Sequence, residues 1–140
     1  MRTLPKAVIC DIDGTLAHMN DRSPYDTSKY HEDTKDNFIH NLFALLTEHG
    51  TARIIVSGRS EDFREVTEQW LYDHGVSYKH LFMRPSGDTR NDRIIKRELY
   101  EKYIQPNYNV LCVLDDRNRV VDMWRNELHL RCLQVADGDF

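Results

Sequence analysis

Short apolar runs alternate along this chain with longer segments whose apolar positions recur at helical spacing. Ala7-Val8-Ile9-Cys10 is a run of small and β-branched residues without a polar interruption, the pattern of a strand buried on both faces. Ile54-Ile55-Val56, Leu81-Phe82-Met83, Val110-Leu111-Cys112-Val113-Leu114 and Leu133-Gln134-Val135 read as further strands. Between them the spacing predicts four helices. The first runs from Asn37 to His49 on Phe38, Leu42, Leu45 and Leu46, with Gly50 as its stop. A second starts near Ser60 on Phe63, Val66, Trp70 and Leu71 and ends at Gly75. A third uses Ile94, Ile95, Leu99 and Tyr103 and stops before Pro106, and the fourth covers Val120 to Leu128. Gly14 to Asp33 reads as a polar loop. Five strands alternating with four helices predict an α/β fold, a doubly wound parallel five-stranded sheet, with residues 1–140 as a single domain. Its ligand site is expected outside the carboxyl ends of the strands, near a switch point in strand order.

Composition narrows the class. The chain has 140 residues, 40% of them hydrophobic and 10% aromatic, which suits a folded domain and not a disordered one. No run approaches the ~20 apolar residues that span a bilayer, and the first residues carry no signal-peptide pattern, so no membrane partner is expected. Cys10, Cys112 and Cys132 are odd in number and widely spaced, which argues against a disulfide framework or a zinc site and for a reducing, cytoplasmic setting. The net charge of −4 disfavours a protein that coats nucleic acid. It leaves open one that handles a single phosphate.

Three strands end in polar signals. The first runs into Asp11-Ile12-Asp13-Gly14-Thr15, where two carboxylates at i and i+2 can approach one ligand once the chain turns at Gly14. The second ends in Ser57-Gly58-Arg59, and the fourth in Asp115-Asp116-Arg117. The third helix carries Asp92 and Lys96 one turn apart. Carboxylates gathered at adjacent strand ends repel one another without a cation, and all-oxygen ligands suit Mg²⁺. Ser57, Lys96 and an arginine beside such a cation are the parts that phosphoryl transfer requires, and a carboxylate nucleophile next to a second carboxyl fits a covalent aspartyl-phosphate route. Asp11, Asp13, Asp92, Asp115 and Asp116 together outweigh the whole net charge, so the acidity is concentrated in this candidate site.

The order Asp11-x-Asp13-Gly14-Thr15, Ser57, Lys96, Asp115-Asp116 resembles the haloacid dehalogenase (HAD) phosphatase superfamily. Within it, the segments Lys6–Ala17, Arg22–Asp26, Val56–Arg59, Gly87–Arg90, Asp115–Arg117, Met123–Arg125 and Gln134–Phe140 resemble the 3′-phosphatase domain of phage polynucleotide kinase/phosphatase. This resemblance runs from near residue 5 to residue 140. It implies that Asp11 attacks phosphorus, that Asp13 protonates the leaving alcohol and then activates water, and that Ser57 and Lys96 bind the phosphoryl group. Asp11, the Asp13 backbone carbonyl, Asp115 and Asp116 would hold Mg²⁺; Thr15, Arg22, Gly58, Arg59 and Arg117 would line the phosphate site, with Asp92 in support. The implied reaction is removal of a 3′-terminal phosphate from DNA or RNA ends in nucleic-acid repair, with 2′,3′-cyclic ends a further candidate substrate. A kinase or ligase on another chain or domain is the implied partner, and a phage-encoded copy would work in the host cytoplasm. No GxxxxGK[ST] occurs in these residues, so they carry no P-loop kinase.

Several of these residues have plainer readings. Arg59 and Arg117 each suit an ion pair with a surface acid, and Asp92 suits an i,i+4 partnership with Lys96. Arg22 rests on the resemblance alone. Trp70 and Trp124 read as core, and His18 lies close to the DxDGT loop without an assigned role. Arginine outnumbers lysine by 13 to six, which favours bidentate phosphate recognition. Residues 84–102 hold six basic side chains against four acidic ones, which is either a backbone track or a solvated helix face. The predicted helix and strand between the first two motifs leave no room for a cap domain, and an open site suits a polymer end. The remaining alternatives are a small-molecule HAD phosphomonoesterase and a non-catalytic module that binds nucleic-acid ends.

Overall fold

The computed structural model describes residues 3–20 and 22–140. Its central sheet is built from β1 (Lys6–Cys10), β4 (Ala52–Ser60), β5 (His80–Arg84), β6 (Asn109–Asp115) and β7 (Cys132–Gln134) in the order β5-β4-β1-β6-β7, every neighbouring pair parallel. From β1 the chain moves outward to β4 and β5, then returns across the sheet to β6 and β7. The direction therefore reverses at β1, whose carboxyl end lies between those of β4 and β6. This is the switch point at which open α/β sheets bind ligands.

Alternation along β1 separates two cores. Ala7 and Ile9 join Ile54, Val56, Ile95, Val113 and Trp124 on one face. Val8 and Cys10 join Ile55, Phe43, Leu71 and Leu114 on the other. The first face is covered by α3 (Asp92–Leu99) and α4 (Asn118–Asp122), the second by α1 (Asn37–Leu46) and α2 (Arg64–Asp73). α3 and α4 each continue in a wider π-type turn, through Ile104 and Glu127. In the second of these Leu128 N–H reaches back five residues to the Met123 carbonyl, at 3.1 Å.

Helix positions follow the sequence reading, but two helix faces do not. In α1 the buried residues are Ile39 and Phe43, whereas Phe38 is 73% and Leu45 64% exposed. In α3 and its extension Ile95, Leu99, Tyr100 and Ile104 are buried, while Ile94 and Tyr103 face outward. Each apolar stripe contains more candidates than one face holds, and the predicted set mixed two rows. α1 also stops three residues early, at Leu46, where the Thr47 hydroxyl donates to the Phe43 carbonyl at 2.7 Å.

The predicted polar loop after β1 contains structure as well. β2 (Ala17–His18) pairs antiparallel with β3 (Thr34–Lys35), and the described residues between them include a 3₁₀ stretch at Thr27–Glu32. Asp36 locks the far end. Its carboxylate caps α1 by accepting from Ile39 N–H at 2.9 Å, and it is bonded to His18 Nε2 at 2.8 Å. Among the described residues no helix is long and apolar enough to cross a membrane, and the three cysteines are buried and free.

Candidate active site

Asp11 leaves the end of β1 with its N–H bonded to the Leu114 carbonyl of β6, at 2.9 Å. Gly14 then turns the chain at φ 82°. A Cβ there would also fall 2.1 Å from an Asp116 oxygen, so both the backbone angle and the close approach require glycine. Because β6 ends beside β1, Asp115 and Asp116 arrive next to Asp11. One carboxylate oxygen from each of the three residues lies within 4.8 Å of those from the other two, and all three residues are buried. Thr15 Oγ1 ties the set together, donating to Asp11 Oδ2 at 3.1 Å with Asp116 Oδ1 3.5 Å away.

Lys96 projects from α3 into this cluster and donates to Asp11 Oδ1 at 2.8 Å and Asp115 Oδ2 at 2.9 Å. Trp124 Nε1 donates to the same Asp115 oxygen at 3.1 Å, and Asp116 N–H to Asp115 Oδ1 at 2.9 Å. One ammonium against three carboxylates leaves unbalanced negative charge. Burial, then Asp115, pushes the Asp11 carboxyl well above its ordinary value despite Lys96, and the same two causes raise Asp116. For Lys96, burial alone would favour the neutral amine, but Asp11 and Asp115 outweigh it and hold the ammonium more firmly than usual. An all-oxygen, over-charged, buried donor set of this kind fits a hard divalent cation.

Asp13 points elsewhere. Arg59 grips it with two bonds, Nε to Oδ2 at 2.9 Å and Nη2 to Oδ1 at 2.7 Å, while its side chain stays 43% exposed toward the cleft. The Asp13 carboxylate thus stands apart from the buried carboxylate trio. Arg59 also reaches Asp33 Oδ2 at 3.2 Å and Thr67 Oγ1 at 3.2 Å. Arg22 holds Asp33 bidentately at 2.7 and 2.9 Å. The two guanidinium groups stack on one ring, Tyr30, at 3.8 Å for Arg59 and 4.7 Å for Arg22. Both arginines are held above their ordinary values, Arg22 chiefly by its bonds to Asp33, Arg59 by Asp13 acting against the cost of burial.

The β4–β5 pairing slips between Ser57 and Ser60, so Gly58 and Arg59 bulge out of the ladder at the strand end. Ser57 is fully buried, and its Oγ accepts from Arg59 N–H at 3.1 Å. Gly58 is packed against Asp92, where an added Cβ would lie 2.8 Å from a carboxylate oxygen. Asp92 does not pair with Lys96, the helix-face partnership considered from spacing. It accepts from Arg84 on one oxygen and from Arg117 on the other at 2.9 Å. The geometric reason is that Lys96 turns inward to the carboxylates while Asp92 lies at the cleft wall.

A cleft of about 600 Å³ opens above these groups, lined among others by Asp11, Asp13, Gly58, Lys96, Asp116 and Arg117. Arg22, Arg59, Asp92 and Asp115 also line it; Ser57 and Thr15 lie beneath. The basic stretch 84–102 offers no free track. Arg84, Arg90, Arg93 and Arg97 are all engaged, with Asp92, Asp88 and Glu98, Glu127, and Glu101 respectively. Trp70 and Trp124 are buried, as their spacing indicated. Asp33, Tyr30, Arg84 and Trp124's bond to Asp115 were not foreseen. The first two sit in an aperiodic loop and carry no sequence signal, whereas Arg84, directly after a predicted strand, had the same signature as Arg59.

Comparison with known proteins decides the family. The family model described as polynucleotide kinase PNKP phosphatase domain, of HAD type, matches residues 5–140. The chain belongs to that family. The chain spans less than half the length of the relatives it matches. A protein of Autographa californica nuclear polyhedrosis virus named as a bifunctional polynucleotide kinase/RNA ligase is 40% identical over 126 residues, covering 87% of this chain and 18% of its own length. Two solved structures of the Pnkp1/Rnl/Hen1 complex, one titled as an RNA repair complex, contain a chain 47% identical with a TM-score of 0.94. Each covers 98% of the present chain, which spans 44% and 48% of the two longer ones. The parallel five-stranded HAD architecture expected from the sequence is therefore the fold of this PNKP phosphatase domain.

Proposed function

We propose that this chain removes 3′-terminal phosphate from DNA or RNA ends, using Mg²⁺ and an aspartyl-phosphate intermediate. The observation that carries the reading is the pairing of two carboxylates held in opposite ways. Asp11 is fixed in the buried trio by Lys96 and Thr15, and Asp13 is presented at the cleft by Arg59. Asp11 attacks phosphorus as the bond to the 3′ oxygen breaks, and the Asp13 carboxyl delivers its proton to that oxygen. A water then gives its proton to Asp13 and attacks the aspartyl phosphate, which returns Asp11 and releases inorganic phosphate. Asp11, Asp115, Asp116 and the Asp13 carbonyl would hold Mg²⁺, which supplies charge neutralisation for the phosphoryl oxygens. Lys96 stays charged and braces Asp11, Ser57 and Gly58 shape the strand end, and Arg59 with Arg22 orients Asp13. Arg117, tied to Asp92, is the cation on the opposite wall.

The substrate assignment is supported by the family, and the similarity to a viral polynucleotide kinase/RNA ligase and to a chain of an RNA repair complex favours work beside kinase and ligase modules in RNA repair. A reducing cytoplasm is the setting that fits three free cysteines. The test is phosphate release from 3′-phosphorylated DNA and RNA oligonucleotides and 2′,3′-cyclic ends, against a panel of sugar and amino-acid phosphates. Preferential turnover of the oligonucleotides is expected. Equal or better turnover of the metabolites would replace this reading with a small-molecule phosphatase.

A further inference from the structure

The cleft is polar where phosphorus would sit and apolar at its mouth. Met19, Pro24 and Tyr25 of the 19–33 segment line it, and so does Phe140 from the other end of the chain. Tyr25 is 92% exposed and Phe140 57%, so neither ring belongs to either core. Tyr30, the other aromatic lining residue, is unavailable because it is buried beneath the guanidinium groups of Arg22 and Arg59. Phe140 is held in place. Arg117 lies over its ring at 4.6 Å while bonded to Asp92 at 2.9 Å. Two residues earlier Gly138 is buried so tightly that a Cβ would fall 1.9 Å from the Asp116 carbonyl oxygen, and its own carbonyl accepts from Asn118 N–H at 2.9 Å. The segment bearing Phe140 is thus docked directly on the residue that completes the carboxylate trio.

We infer that Tyr25 and Phe140 form a stacking subsite for the nucleobases at the 3′ end of the substrate strand. This rests on the 3′-phosphatase reading and names the part of the substrate that the site recognises besides phosphate. A phosphate seated on Asp11 fixes its sugar beside it, and the attached base lies one sugar further out, at the mouth where these rings are exposed. Every base offers a π face, so stacking gives affinity without sequence preference, while Arg117 behind Phe140 adds a cation close to the backbone. Sugar phosphates and phosphoserine have no aromatic face to offer, so the subsite discriminates nucleic-acid ends from such metabolites.

The experiment is a cycle between protein rings and substrate bases. In an Asp11→Asn background with Mg²⁺, anisotropy of a 5′-fluorescein, 3′-phosphorylated oligonucleotide reads the Kd, and a matched oligonucleotide carries abasic residues at its last two positions. Tyr25→Leu and Phe140→Leu, which keep bulk without a π face, weaken the base-bearing strand by about 5- to 100-fold. Both leave the abasic strand's Kd unchanged, and Tyr25→Phe and Phe140→Tyr restore tight binding. Equal losses on both strands, or no loss on either, overturn the subsite. The underlying reading fails differently, through absence of phosphate release from the oligonucleotide by the unmodified protein, and the binding cycle still reports on stacking in that case.

Discussion

Asp11 and Asp13 are two residues apart in the chain and live in different electrostatic worlds. Asp11 is buried, crowded by Asp115 and pushed well above its ordinary value, while Asp13 meets solvent and a bidentate guanidinium. Asp11→Asn keeps the shape and removes one of three competing charges. Turnover is expected to fall by about 10⁴-fold or more, because the proposed nucleophile is gone. The melting temperature of the metal-free protein should rise, since the ionised form of Asp11 is disfavoured by the fold. A drop in melting temperature together with retained activity would remove Asp11 from its assigned role. Asp33 makes the opposite case, a buried acid whose partners depend on it. Its side chain and those of Arg22 and Arg59 are all nearly inaccessible, and Asp33→Asn leaves two buried guanidinium groups sharing Asp13. We expect a loss of about 3 kcal/mol in urea denaturation. Loosening of Arg59 should also misplace Asp13 and lower kcat by about 10²-fold.

At the scale of elements, the strands were legible because a central parallel strand must be apolar on both faces, which few other patterns imitate. The motif residues were legible because they stand where those runs end. Helix faces were less so: Phe38 and Leu45 are apolar and exposed, and periodicity alone does not say which of two overlapping rows packs inward. The β2–β3 ribbon was illegible, since two-residue strands have no periodicity to read. With it went Asp33, which enters the site only because Trp70 of α2 donates to its carbonyl at 2.9 Å and the ribbon closes beside it. The contact of β4 with α3 yields a further test. Gly58→Ala pushes a methyl group against Asp92, which Arg84 and Arg117 hold in place. Stability should fall by about 1–3 kcal/mol and kcat/KM by about tenfold. Asp92→Ala removes the obstructing carboxylate, so the double variant should be no less stable than Gly58→Ala alone. Strict additivity of the two losses would place the strain elsewhere.

For the whole molecule, the net charge of −4 is a site property more than a surface property. The arginines of α3 and its approach are neutralised by neighbouring acids, whereas among the described residues Lys96 is the cation paired with Asp11 and Asp115, and Asp116 beside them has no ion pair. That imbalance makes stability depend on pH in a predictable direction. Asp11 and Asp116 have folded-state pKa values raised above the ordinary 3.8, so between that value and their folded values the folded state keeps protons that the unfolded state has lost. Metal-free stability contributed by these two groups is therefore present at low pH and lost as pH rises through that window. Lys96, whose own value is raised, remains charged throughout and contributes no loss there. Bound at the trio as proposed, Mg²⁺ needs the ionised carboxylates and competes with their protons, so its affinity and its stabilisation of the folded state are expected to grow with pH. The gain in melting temperature on adding Mg²⁺ should accordingly increase from about pH 5 to about pH 8. Asp116→Asn should flatten that increase and shrink the gain, because it removes both a ligand and a titrating group. Differential scanning fluorimetry across a pH series, with Mg²⁺ and with EDTA, measures both curves. A gain that is the same at every pH, or absent at all of them, would mean that the carboxylate trio is not where the cation binds.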